Sequence, residues 1–125
     1  MKYASLGLAV ALLLAGSPAF ATQGLECRSP GRRGFELYLS VGSGGGVDLV
    51  TIIDGGRELR ATGLPDSNPR IVRGFLQPRS GRLTVRIVGR DGRTPVASLN
   101  GTSRAGTLGW RGRNWRVRCR WEPQD

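Results

Sequence analysis

The chain has no histidine, and its one lysine, Lys2, stands at the very start. Acid–base or metal chemistry would therefore fall to nine carboxylates and two cysteines. Two carboxylates flanking a scissile bond are the machinery of a glycosidase. Asp54 and Glu58 bracket a turn, and Glu36 and Asp48 fall on what read as adjacent strands, so residue type alone permits that chemistry. The same acids are outnumbered two to one by arginines, which makes them surface ion partners first. Without histidine there is no Ser-His or Cys-His couple and no usual zinc set, and beyond Lys2 there is no Schiff-base lysine. The expectation is a protein that is not an enzyme and carries no metal or cofactor.

Two further motifs lose their chemical reading on inspection. The glycine-rich run 42–46 lacks the Lys-Ser/Thr ending of a phosphate loop, and a strand follows it where a helix N-terminus would be needed. It reads as a flexible hairpin loop. Asn100-Gly101-Thr102 has the pattern of a glycosylation acceptor, but Asn-Gly is also a turn signal, and a turn is expected there.

The cysteines depend on compartment. Residues 1–21 have the layout of a secretory signal peptide: Lys2, an apolar run from Leu6 to Ala15, and the small-x-small ending Ala19-Phe20-Ala21. The apolar run is too short to span a bilayer. The expected mature chain, 22–125, is a single exported domain in the periplasm or outside the cell, with no transmembrane segment. In such an oxidising compartment two cysteines in a small domain read as a disulfide. Cys27 and Cys119 lie near opposite ends of the mature chain, so their bond would tie the first strand to the last. The chain-entropy model assigns such a long loop about 4 to 5 kcal/mol.

Charge is the strongest compositional signal. Lys and Arg total 19 against nine acids; removing Lys2 with the leader leaves eighteen arginines and a net charge of +9. That excess attracts anionic polymers and headgroups, with salt-sensitive binding. The guanidinium groups concentrate near the carboxyl end. From Trp115 onward the chain alternates, putting Trp115, Val117, Cys119 and Trp121 on one face of a strand and Arg116, Arg118 and Arg120 on the other. Arg111 and Arg113 sit in the preceding turn. Arg82, Arg86 and Arg90, on the outer face of another strand, would extend the patch if the two strands share a sheet face. Trp110, Trp115 and Trp121 offer stacking surface beside them.

These residues need strands to hold them, and the pattern supplies strands throughout. Phe35, Leu37, Leu39 and Val41 alternate with Glu36, Tyr38 and Ser40. A β-branched run covers 47–54, Asp54-Gly55-Gly56-Arg57 is a hairpin signal, and 58–64 returns. Segments 71–76, 82–90, 96–99 and 107–110 follow, with Val88 out of phase in its alternation. No window shows helical spacing. The fold class is all-β: a small antiparallel sandwich or closed barrel of seven to eight short strands, closed by the Cys27–Cys119 bond.

Ala105-Gly106-Thr107-Leu108, leading to Gly112 and Cys119, resembles the end of the periplasmic inhibitors of c-type lysozyme, a family of small exported domains with one disulfide. That family's Ser-Gly followed closely by Tyr is missing here, since Ser43-Gly44 runs into Gly45-Gly46-Val47, and no functional residue is carried over. Three functions stay open. The first is binding of an anionic envelope component, polysaccharide or lipid headgroup, through the arginine face; export argues against nucleic acid. The second is inhibition of a secreted hydrolase, lysozyme or protease, through an exposed loop at 42–46 or 65–70. The third is a structural envelope role without a ligand.

Overall fold

The alternating stretches become strands that roll into one closed sheet. The structure, a computed structural model, describes residues 22–31 and 34–123; the leader expected at 1–21 lies outside them. Among the described residues there are nine strands: β1 (Gln23–Arg28), β2 (Phe35–Val41), β3 (Val47–Asp54), β4 (Arg57–Thr62), β5 (Arg70–Leu76), β6 (Arg82–Val88), β7 (Pro95–Thr102), β8 (Ala105–Trp110) and β9 (Arg113–Trp121). They pair in sequence order, and β9 returns to pair with β1. The architecture is thus a barrel, not a sandwich, with one or two strands more than the pattern suggested.

Closure explains why one face of nearly every strand is apolar. Leu37 and Leu39 of β2, Val50 and Ile52 of β3, Leu83, Val85 and Ile87 of β6, Leu99 of β7, Leu108 of β8 and Val117 of β9 are each 2 % exposed or less and fill the interior. The outer face carries the charges, the reverse of a barrel that faces lipid. No helix among the described residues is long and apolar enough to cross a membrane.

At the seam, Cys27 and Cys119 stand directly opposite each other on β1 and β9, with Cα atoms 4.0 Å apart and the disulfide formed across 92 positions of sequence. Such a bond is compatible with an oxidising compartment. The other junction is irregular. The parallel pairing of β4 with β5 consists of one bridge, Thr62↔Arg70, and β5 then continues beside the start of β3 through Gly46↔Phe75. Gly74 is required there, because a Cβ would stand 2.8 Å from the Val47 carbonyl oxygen.

Several local expectations are corrected. Asn100-Gly101 is no turn: both lie in β7, opposite Thr107 and Gly106, and the chain reverses at Ser103-Arg104. β8 accordingly begins at Ala105 and β9 at Arg113. β4 stops at Thr62, leaving Leu64 in a loop and 63 % exposed. Val88 is buried next to buried Ile87 because a bulge between them shifts the register against β7. The 42–46 segment is tied down: Gly42 N–H donates to the Gly46 carbonyl, Gly45 N–H to that of Gly42, and Leu76 N–H to that of Gly45.

Candidate anion-binding face

The Cys27–Cys119 pairing fixes the register of the seam, and with it the neighbours of the terminal arginines. Arg118 falls opposite Arg28, and Arg120 opposite Glu26. Arg120 Nε donates to Glu26 Oε1 at 3.0 Å, and Arg28 donates to Glu26 Oε2 at 3.2 Å. Glu26 is buried between them, and the Arg120 hydrogen bond, followed by that from Arg28, holds its carboxyl below the ordinary value despite the opposing effect of burial. Of the three outward arginines of β9, Arg120 is therefore paired, sharing the single charge of Glu26 with Arg28 and leaving Glu26, Arg28 and Arg120 together at a net charge of +1. Arg116 and Arg118 have no ion pair with any carboxylate among the described residues.

On the far side of β7 and β8, the outward residues of β6 are Arg82, Thr84 and Arg86, with Arg86 opposite Arg73 of β5. The two basic strands thus share the outer face without being adjacent. Three interstrand spacings, about 14 Å, separate them. The lane between carries no charge: Ser98, Asn100 and Thr102 from β7, Thr107 and Gly109 from β8. Gly109 keeps the floor low, since a Cβ there would stand 2.9 Å from Ser98 Oγ. Hydroxyls and an amide line the floor and guanidinium groups form both walls, an arrangement suited to carboxylate, sulfate or phosphate groups repeated along a chain.

The remaining expected patch residues lie elsewhere. Arg90 belongs to the exposed β6–β7 turn, beyond the end of β6. In that turn the Asp91 carboxylate accepts from the Thr94 hydroxyl and from the Thr94 and Arg93 backbone N–H groups, which brings it down to about 2. Arg111 and Arg113 sit on either side of the β8–β9 hairpin turn, where Arg111 takes a left-handed φ of 52° beside Gly112 at 76°. Their guanidinium carbons lie 5.2 Å from the Trp110 ring centroid and 6.0 Å from that of Trp115.

Trp110 and Trp115 are accordingly not an open stacking platform beside the arginines. Trp110 is buried, and its indole N–H donates to Asp54 Oδ2 at 3.0 Å. Trp115 is half-buried with its ring 5.9 Å from that of Phe35. Trp121 keeps the inward parity, opposite buried Leu25, but lies on the last rung of β9 and is 39 % exposed.

The carboxylates considered for catalysis are not brought together. Asp54 is buried while Glu58, opposite Ile53, is exposed in an ion pair with Arg60 at 3.3 Å. Glu36 accepts from the Tyr38 hydroxyl, which keeps that phenol protonated up to about 12. Glu36 stands opposite Ile53, five positions along β3 from Asp48 and so about 17 Å away.

Sequence reasoning overlooked Arg28 and Arg73. Arg28 was within reach, because an antiparallel Cys27–Cys119 pair places residue 28 opposite residue 118. Arg73 was not, because a bulge between Ile71 and Arg73 resets the parity of β5. No protein-family model, no curated protein and no solved structure matches the chain.

Proposed function

We propose that this is an exported, non-enzymatic binding protein whose outer barrel face takes an anionic component of the cell envelope, a polysaccharide or a lipid headgroup, between the arginines of β6 and β9. The observation that carries this reading is the pair of basic walls without ion-pair partners among the described residues, staggered across an uncharged polar floor: Arg118 falls on the row of Arg82, Arg116 on the next row in line with Thr84, and Arg86 on the row after that in line with Asn114. An outward basic strand that served only solubility would need no such floor. In an oxidising periplasm or outside the cell, which the disulfide suits, envelope polymers are the abundant polyanions.

The test is retention on immobilised heparin, with phosphatidylglycerol vesicles as a second arm to separate polysaccharide from lipid. Binding that weakens steeply with salt and falls at least about tenfold, equivalent to about 1.4 kcal/mol, in Arg116→Glu/Arg118→Glu supports the proposal. Binding unchanged by that reversal overturns it.

One observation favours hydrolase inhibition as a second reading. The 63–69 loop is braced by its own hydrogen bonds: Thr62 N–H donates to Ser67 Oγ, Ser67 N–H to the Leu64 carbonyl and Ser67 Oγ–H to the Pro69 carbonyl, at 3.1, 3.0 and 2.7 Å. Exposed Leu64 stands at its start. Salt-insensitive inhibition of a secreted lysozyme or protease, lost in Leu64→Asp, would select this reading.

A further inference from the structure

Away from the arginine face, one end of the barrel is open between the 42–46 turn, the β5–β6 turn and the end of β9. The opening is a cavity of about 460 Å³ whose lining includes Trp121, Gln23, Ser43, Gln77, Ser103 and Leu76. None of the lining residues is charged, although the chain as a whole carries a charge of +10. Arg79, Arg104 and Glu122 are sequence neighbours of lining residues yet take no part in it. This neutrality separates the mouth from the rest of the surface.

Its chemistry is that of an aromatic plate with a polar rim. Trp121 is the most exposed of the three tryptophans. Among the described residues, the side chains of Gln23, Ser43, Gln77 and Ser103 make no hydrogen bond to protein, leaving two amides and two hydroxyls able both to donate and to accept. The walls beneath them are held. Leu76 N–H bonds to the Gly45 carbonyl at 2.7 Å, and Gln77 pairs through its backbone with Arg82 and Gly81, both at 2.8 Å. Gly45 cannot carry a side chain, since a Cβ would stand 2.3 Å from the Leu76 carbonyl oxygen. The cavity is therefore largely preformed, and its volume lies in the range of small-ligand sites.

From these observations we infer that the barrel mouth is a binding site for an uncharged pyranose ring, stacked on the Trp121 indole and hydrogen-bonded by the Gln23 and Gln77 amides and the Ser43 and Ser103 hydroxyls. A pyranose presents a flat row of weakly positive C–H groups to the negative face of an aromatic ring and points its hydroxyls outward in the plane. A fatty acyl chain would waste the four polar groups, and a polyanion would find no cation. The site is independent of the arginine face and does not rest on the function proposed for it.

The test is acrylamide quenching of tryptophan fluorescence in the disulfide-intact protein, with cellotetraose and the tetramer of N-acetylglucosamine as probes. Because Trp110 is buried and Trp115 half-buried, the quenchable emission belongs mainly to Trp121. One of the two probes should protect it saturably at millimolar concentration, with no change in affinity at about 0.5 M salt, where surface charges are screened. With Trp121 still reporting, affinity should fall about tenfold in Gln77→Ala, a surface change that leaves the core untouched. Absence of saturable protection by both probes, protection that collapses with salt, or full affinity in Gln77→Ala would overturn the inference. Because the heparin assay reads Arg116 and Arg118, failure at either site leaves the other measurement standing.

Discussion

Replacing Cys27 and Cys119 together by alanine should cost more than any surface change in this chain. The two residues close a loop across 92 positions, for which the chain-entropy relation gives about 4.7 kcal/mol at 25 °C. Other ties at the seam are modest: the β1–β9 ladder covers four residue pairs, Leu25↔Trp121 to Arg28↔Arg118, and the Glu26–Arg120 pair is exposed on its arginine side. These contacts remain in the folded variant, but they do nothing to restrict the unfolded chain, which is where the disulfide acts. For a domain of this size the native state is worth about 5 to 15 kcal/mol, so the loss takes a third or more of it. At about 4 to 5 °C per kcal/mol, the melting temperature should drop by about 20 °C. Circular dichroism melts of the wild type, the double alanine variant and the wild type under reductant measure it, with reduction verified as a gain of two hydrogens by mass. A fall of less than about 5 °C, with reduction verified, would refute the reasoning: the seam would then be held by its ladder, and the loop entropy would not be the quantity at stake.

Two other expectations follow from single residues. Glu26 titrates below its ordinary value of 4.5 in the folded protein, so its contribution to stability is present above 4.5 and lost as pH falls through the folded value. The stability gap between wild type and Glu26→Gln should accordingly shrink as denaturant titrations move below pH 4.5, and a gap that widened would contradict the pairing with Arg120 and Arg28. Gly101→Ala should destabilise by about 2 kcal/mol in urea titration, because its Cβ would lie 2.3 Å from the Ala105 carbonyl oxygen and 2.4 Å from the Gly106 Cα. Gly44→Ala, with open space at the same position, should stay within about 0.5 kcal/mol.

What the sequence determined by itself is local and periodic. Alternation in 35–41 and 115–121 placed apolar side chains on one face and arginines on the other, since a strand offers only two sides. Asp54-Gly55-Gly56-Arg57 named its turn, because consecutive positive φ values, here 60° and 90°, favour glycine. The disulfide pairing was legible because two cysteines allow one partner each. What the tertiary structure decided was nonlocal. Asn100-Gly101 reads as a turn in isolation, yet cross-strand pairing with Thr107 and Gly106 drew it into β7. Which residues of β9 stand in line with Arg82 and Arg86, whether Arg120 pairs with Glu26, and whether Trp121 plugs a core or lines a mouth all depend on strand order and stagger around the closed sheet. Alternation says which side of a strand a residue takes, but only closure says what stands next to it.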